Sequence, residues 1–526
     1  MTLKPAIVVG SGPAGVSIAK ALTDRDIEVL LIDTGFVLEE RQTKLMSEMA
    51  GLSPQDWESW QIESLIGGAE ITATGKIEKK QFGSNFASKA NSQQVTTFEN
   101  ASLYISSARG GLSNLWGRGI DPLAIGHESL RWPFNTERMK EYYREVLSSI
   151  PVSSNFDNFS DIYPTYKTEV YPFEHSSQAK AVLDELIKNQ KMLKKHGIFF
   201  GSGRLAANLK ECMYCGMCLY GCPYGLLWSS QQELDLLQKR PNFTYLSGLT
   251  VKKVVGFDKY NEVVAQNAKN VTKTFAARKI FLAAGAISTT RIVLESLNRF
   301  NEPVYLETSD LCYVPAVSLL GTKGVVDEKL ITLTQFVFKI FDKKISESEI
   351  SIHFHGYSLL FLNYFKSIFG KSFCVFKPLI FFFLDRFFVG FTFLPSECSS
   401  KLKLVLTDQK ELKVTGVENS KAPLAIRSVR RKLFKLCYLT RLLPIPFFNG
   451  RRLAGSSMHF GGSFPMVKDE MVDQSNTNSF GELCQLKNVH LVDGSVLPDI
   501  PAGSFTLTIM ANAYRIGAEV EIDSKG

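Results

Sequence analysis

Residues Ala6–Asp33, AIVVGSGPAGVSIAKALTDRDIEVLLID, decide the reading of the chain. An apolar run leads through a glycine turn into a helical stretch, and a second apolar run ends in an acid. Gly10 permits a tight turn, Gly12 lets a phosphate approach the backbone where Pro13 and Ala14 open the helix, and Gly15 lets that helix pack on a sheet. Unpaired N–H groups at such a helix start face a pyrophosphate. Asp33 closes the second strand, where a carboxylate accepts hydrogen bonds from a ribose hydroxyl pair. A glycine pattern alone is weak, because strand-to-helix turns commonly carry glycines. Strand, helix, second strand and terminal acid in this order specify a dinucleotide-binding unit.

The 526 residues, 45% hydrophobic and 21% charged, make a globular chain long enough for two closely packed domains. The net charge is +8, but no zinc finger, RNP motif or basic arm accompanies it, so nucleic acid is not an expected partner. The charge suits anionic surfaces, membranes included. A cofactor strand beginning at Ala6 leaves no room for a secretory leader, so a cytoplasmic location is expected. Four of the nine cysteines fall within eleven residues, a pattern of reduced thiols or ligands and not of a disulfide scaffold.

Further along, ARGGLSNLWGRG (Ala108–Gly119) combines glycines that allow close backbone approach with the polar atoms of Ser113 and Asn114. LRWPFNTERMKEYYREV (Leu130–Val146) has a Trp-Pro turn, Asn135 or Thr136 as a cap, and an amphipathic helix. NFTYLSGLTVKKVVGF and TFAARKIFLAAGAISTTRIVLESL read as strands, the last ending near Gly285, followed by a helix. The C-terminal VHLVDGSVLPDIPAGSFTLTIMANAYRIGAEV gives a buried strand ending at Asp493 and Gly494, a proline-bracketed loop, and a helix from about Thr508. No second GxGxxG with its own strand and helix occurs, so a separate nicotinamide site is not expected.

These segments, together with SSMHFGGSFPM (Ser456–Met466), occur in an order that resembles the glucose-methanol-choline (GMC) oxidoreductases, FAD enzymes that oxidise alcohols. The resemblance covers most of the chain and is weaker over 35–100 and 305–450. It implies an α/β fold: a Rossmann-like FAD-binding domain from 1–150, 195–305 and 452–526, with an α+β substrate domain on an antiparallel sheet from 151–194 and 306–451. ITLTQFVFKI, EISIHFHGY, GFTFLP, KLKLVLT and ELKVTGV alternate like strands of such a sheet. It also implies FAD contacts at Gly10, Gly12, Pro13, Ala14, Gly15, Asp33, Gly111, Ser113, Asn114, Trp116, Gly117, Val251, Ala284, Gly285, Asp493, Gly494, Phe505 and Thr506. Some members tether FAD through a histidine near the second segment; here no histidine precedes His127, so noncovalent FAD is expected.

Oxidising an alcohol sends a hydride to the flavin and a proton to a base, and an imidazole has a suitable pKa. The resemblance implies that His459 is this base, with Gly462 and Met466 following as in the family. It implies a second polar residue in the terminal loop, where this chain has Ser504 in place of the usual asparagine and Phe505 where proline often follows. A serine hydroxyl can donate one hydrogen bond to the substrate oxygen, at shorter reach. The N-terminus of the last helix could stabilise negative charge on the reduced flavin.

Cys212, Cys215, Cys218 and Cys222 in ECMYCGMCLYGCPYG follow the C-x2-C-x2-C-x3-C-P run of iron-sulfur proteins. An iron-sulfur cluster, with an electron-accepting partner, and a set of packed reduced thiols are both compatible with that spacing. The insert 353–395 holds thirteen of the 38 phenylalanines, interrupted by Lys366, Lys371, Lys377, Asp385 and Arg386. No apolar run there is long enough to cross a bilayer, and short apolar helices with scattered lysines suit insertion into one leaflet. RSVRRKLFKLCYLTRLL (Arg427–Leu443) is basic and amphipathic, which suits anionic headgroups. The expectation is therefore a cytoplasmic enzyme peripheral to the inner face of a membrane, acting on a lipidic or lipid-linked alcohol such as a polyprenyl-linked sugar. A soluble sugar-alcohol dehydrogenase with a phenylalanine core, or a catalytically idle FAD protein serving electron transfer or assembly, also fits these residues.

Overall fold

The computed structural model describes residues 3–67, 70–71, 77–78, 80–88, 96–125, 132–134, 136–446 and 450–522. His127 and the proposed cap Asn135 lie outside the described residues.

Strand Lys4–Val9 pairs in parallel with Val29–Ile32 on one side and with the end of Thr272–Leu282 on the other. Phe243–Leu246 and Leu486–Leu491 extend the parallel set outward. Ala6, Ile7 and Val8 are wholly inaccessible because both sheet faces are covered, the usual condition of a parallel sheet. Helices Pro13–Thr23 and Thr506–Glu519 cover one face through Val16, Ile18, Ala513 and Ile516. The eleven-residue strand Thr272–Leu282 has two roles: its first half belongs to an antiparallel meander with Asn261–Gln266 and Thr250–Gly256, and its second half enters the parallel sheet.

Two larger antiparallel-rich sheets and two two-stranded ones accompany it among the described residues. The six-stranded one runs Leu442–Pro444, Leu311–Ser318, Phe387–Phe393, Ile350–His355, Phe336–Ile340 and Ile198–Ser202. Helices Ser177–Lys188 and Lys421–Lys435 bury Val182, Leu186, Val429 and Leu433 against Phe336, Phe338, Phe354 and Phe388 of that sheet. Each buried phenylalanine there contributes about 2–3 kcal/mol.

Two expectations need correction. KLKLVLT and ELKVTGV are strands, Lys401–Leu406 and Leu412–Val417, but in a separate five-stranded sheet with Pro303–Thr308, Phe460–Gly461 and Thr96–Glu99. Their inward residues Leu402, Leu404 and Leu406 pack on Ile287 and Leu294 of helix Ala286–Ser296, so alternation recruits them to the dinucleotide-binding side. Conversely, Ile198–Ser202, expected with the rest of 195–305, pairs with Phe336–Ile340 in the six-stranded sheet.

The phenylalanine-rich insert leaves that sheet after Ile350–His355 and returns as Phe387–Phe393. Between them Leu359–Leu384 is helical over 26 residues, with a mean hydropathy of 1.6 in an 18-residue stretch of it, enough by length and composition to cross a membrane, contrary to the sequence expectation. The helix is broken, however, into Leu359–Phe369 and Phe373–Leu384 around Gly370, whose φ is +48°. The Phe365 and Phe383 rings lie 5.9 Å apart. A continuous helix would separate these positions by about 27 Å, so the segment doubles back as a hairpin. Leu362, Ile380 and Leu384 anchor its base against Val325 and Leu330. Along its second helix Val375, Leu379 and Phe382 are 77%, 65% and 57% exposed, beside the exposed Lys377.

Candidate active site

A cavity of about 510 Å³ runs from the first glycine turn to the substrate-side sheet. At one end it is lined by Gly10, Ser11, Gly12, Pro13, Ala14 and Asp33. Gly10 has φ +98° and an added Cβ would lie 2.6 Å from the Ala283 carbonyl oxygen, while a Cβ on Gly15 would overlap the carbonyl oxygen of Gly10. A Cβ on Gly12 would meet no protein atom within 4 Å. Two glycines therefore serve the fold, and the third keeps open the space at the helix start that a pyrophosphate takes. The Asp33 carboxylate accepts hydrogen bonds from Ser11 Oγ and, at 3.2 Å, from Tyr245 OH. Desolvation by the surrounding protein nonetheless raises its pKa to about 6, as expected of an acid awaiting further donors such as ribose hydroxyls. These residues fit a bound dinucleotide.

Gly111, Ser113, Trp116, Gly117, Val251, Ala284, Gly285, Asp493, Gly494, Phe505 and Thr506 also line the cavity. Some act mainly by holding backbone. Asp493 accepts from Gly285 N at 2.8 Å and from Thr289 Oγ1 at 2.6 Å, tying the C-terminal strand to the Gly285 turn. Two expected FAD contacts are not in the wall. Gly15 packs beneath the turn, and Asn114 donates to the carbonyls of Arg109 and Gly111, bracing its own loop. The last helix starts at Thr506, two residues earlier than expected, which brings its N-terminus to the cavity.

At the other end His459 is half-buried, its ring stacked on Phe393 at 4.9 Å and edge-on to Phe505 at 5.2 Å. Desolvation lowers its pKa to about 4, so the imidazole is neutral near pH 7 and able to accept a proton. Ser504 also reaches the cavity, but its hydroxyl donates to the Gly119 carbonyl oxygen. The expected serine contact to substrate is therefore spent on the backbone. Sequence reasoning missed His353 and His355 on strand Ile350–His355, and Phe391 and Phe393 beside them, all cavity-lining. Every second residue of ISIHFH looks like core, and only the tertiary fold turns this strand toward the cavity.

The cysteine run does not form a cluster site. Among the described residues no three His, Cys, Asp or Glu side chains converge as a ligand set. Cys212, Cys218 and Cys222 pack with Phe173, Leu209, Leu227 and Leu333, and Cys215 packs in the neighbouring cluster around Met217 and Tyr220. Burial pushes the thiols of Cys212 and Cys215 up to about 12, so they are neutral packing groups. Of the four only Cys218 reaches the cavity. Without a cluster geometry, the argument for an electron-accepting partner through this run falls away.

Two models of the GMC oxidoreductase family match the sequence, over residues 181–298 and 448–513. The chain belongs to the GMC oxidoreductases. It is accordingly an FAD-dependent oxidoreductase of alcohol-type substrates. Among solved structures, this GMC oxidoreductase is similar to pyridoxine 4-oxidase from Mesorbium loti, at TM-score 0.58 and 12% identity over 98% of both chains. It is also similar to an Aspergillus oryzae RIB40 formate oxidase, studied for the effect of a mutation on FAD modification, at TM-score 0.63 and 13% identity over 98% of this chain and 97% of that one. At such identities the likeness concerns the fold. No curated protein matches the sequence. The family match of residues 448–513 spans both His459 and Ser504.

Proposed function

We propose that this protein oxidises the CH–OH group of a lipidic or lipid-linked alcohol at the inner face of a membrane, with FAD held noncovalently and His459 as the base. The observation that carries the reading is that one cavity joins the Gly12 helix start to the His459 ring. Bound FAD would supply the hydride acceptor. His459, neutral because desolvation disfavours its charged form, takes the hydroxyl proton. Phe393 and Phe505 hold its ring in place by stacking and edge contact. The N-terminus of Thr506–Glu519 favours the negative charge that oxidation leaves beside it.

Gly12→Ala tests the cofactor end. Its φ of −66° accepts alanine, and the new methyl group meets no protein atom, so the variant should fold normally. It should bind FAD at least tenfold more weakly in equilibrium dialysis, because one methyl group displaces a close phosphate-to-backbone contact. FAD bound by the unsubstituted protein should return to the supernatant on acid precipitation. Undiminished affinity in Gly12→Ala, or FAD that stays with the precipitate, contradicts the proposed mode of binding.

The lipid reading rests on the hairpin. Leu360, near its start, lines the cavity, while its second helix exposes Val375, Leu379 and Phe382 beside Lys377. Phe381 and Phe383 are half-buried and Phe381 packs on the hairpin base, so these two are unsuitable for testing lipid contact. The amphipathic helix Lys421–Lys435 spends its apolar stripe on the six-stranded sheet, leaving only its basic face for headgroups. A triple Val375→Ser, Leu379→Ser, Phe382→Ser variant should remain folded yet no longer pellet with anionic liposomes, and salt alone should release the unsubstituted protein only in part. Pelleting unchanged in the folded variant would remove the hairpin as the membrane contact.

A further inference from the structure

With the Ser504 hydroxyl held by Gly119, the second polar contact expected at the substrate oxygen needs another source. Strand Ile350–His355 brings one to the same place. His353 lies in the cavity wall and is 9% exposed. A Cβ built on Gly503 would lie 3.6 Å from His353 Nε2, and one on Gly119 would lie 3.8 Å from His353 Cε1 and 3.3 Å from Ser504 Cβ. The imidazole thus rests against the Gly503–Ser504 loop, and the lack of side chains on Gly119 and Gly503 makes room for it. Phe393 separates the two imidazoles, edge-on to His353 at 5.3 Å and stacked on His459 at 4.9 Å. We propose that His353, donated by the substrate-side sheet, replaces the terminal-loop residue as the second group that hydrogen-bonds the substrate oxygen.

This assignment rests on the alcohol-oxidising reading above and adds a residue to it. Ser351 Oγ lies 3.0 Å from His353 Nε2, and among the described residues Nδ1 has no hydrogen-bond partner. Burial, reinforced by the Lys339 ammonium group, lowers the His353 pKa to about 3. A neutral imidazole has one donor and one acceptor nitrogen, so it can engage a hydroxyl without competing with His459 for the proton. The neighbouring buried charges are matched: Lys339 pairs with Asp121 at 3.0 Å and Arg204 with Asp157 at 2.8 Å. They leave His353 as an uncharged hydrogen-bonding group in the wall. The proton still leaves through His459, and His353 changes neither the hydride balance nor the base.

The probe is 2,2,2-trifluoroethanol, an alcohol too electron-poor to give up a hydride readily, titrated into FAD-loaded protein while the visible flavin spectrum is followed. His353→Phe keeps a ring against Phe393 and removes both nitrogens. It should bind the probe about fivefold to tenfold more weakly, the size of one hydrogen bond, with FAD content and melting temperature preserved. Ser504→Ala should bind it as the unsubstituted protein does. Equal affinity in a folded, FAD-loaded His353→Phe overturns the assignment, as does a loss confined to Ser504→Ala. If His353→Phe fails to fold, His353→Leu is read by the same criteria. Absence of any saturable spectral change in the unsubstituted protein would instead overturn the alcohol-site reading, so the two failures are distinguishable.

Discussion

His459→Ala should slow reduction of the bound flavin by an alcohol by roughly two to four orders of magnitude while FAD stays bound, the range of a general-base contribution. FAD is retained because the cradle at Gly10, Gly12 and Asp33 lies at the far end of the cavity and is built from other segments. Stopped-flow reduction at saturating substrate measures the effect, with Ser504→Ala as the comparison. Because the Ser504 hydroxyl is held by Gly119, its removal should cost far less, through backbone loosening alone. The pH profile carries the same claim: with the His459 pKa lowered to about 4, the rate should be level across pH 6–8 and fall as pH drops through about 4 and a proton occupies the base. A loss below tenfold in His459→Ala, or a rate that titrates near pH 6.5, would assign the proton to another group.

The second large effect is acid lability. His353 and His490 are 9% and 1% exposed, and burial lowers their pKa values to about 3 and about 4. Unfolded, each titrates near 6.5. Above that pH both states are neutral and the histidines cost nothing; as pH falls from 6.5 toward 4 only the unfolded chain gains protons, so stability is lost. Each histidine removes about 3 kcal/mol across that window, a large part of an ordinary domain's stability. Asp33 acts in the opposite sense, since its pKa is raised to about 6 and the folded state takes up its proton first. Denaturant midpoints measured from pH 7.5 to 4.5 should therefore fall steeply, and His490→Gln should flatten the slope. A midpoint unchanged down to pH 5 would show that these imidazoles are not held neutral.

The dinucleotide end was legible because its chemistry is local. The three glycines, the helix start and Asp33 follow one another within 28 residues, and each acts through backbone geometry that a sequence reveals. The motif singled out His459, which the fold places in the cavity wall. It gave no sign of His353, which lines the cavity through the approach of Gly119, Gly503 and Phe393, all distant in sequence. Ser504 reads as a free hydroxyl until the fold brings the Gly119 carbonyl to it. Alternation likewise identified Lys401–Leu406 as a strand without revealing which sheet its leucines would cover. The cysteine spacing is the same whether or not the sulfurs converge, and the apolar composition of Leu359–Leu384 is the same whether it spans or doubles back. Both distinctions belong to tertiary structure.

Anaerobic bleaching of the bound flavin is the most direct test of the alcohol-oxidising assignment. Protein loaded with FAD should lose its visible flavin absorbance when an alcohol is added in anionic liposomes or in solution, without a nicotinamide, because the sequence carries one GxGxxG unit and we assign it to FAD. Flavin that stays oxidised with every alcohol offered, lipid-linked ones included, but is bleached by a reduced nicotinamide would contradict the account.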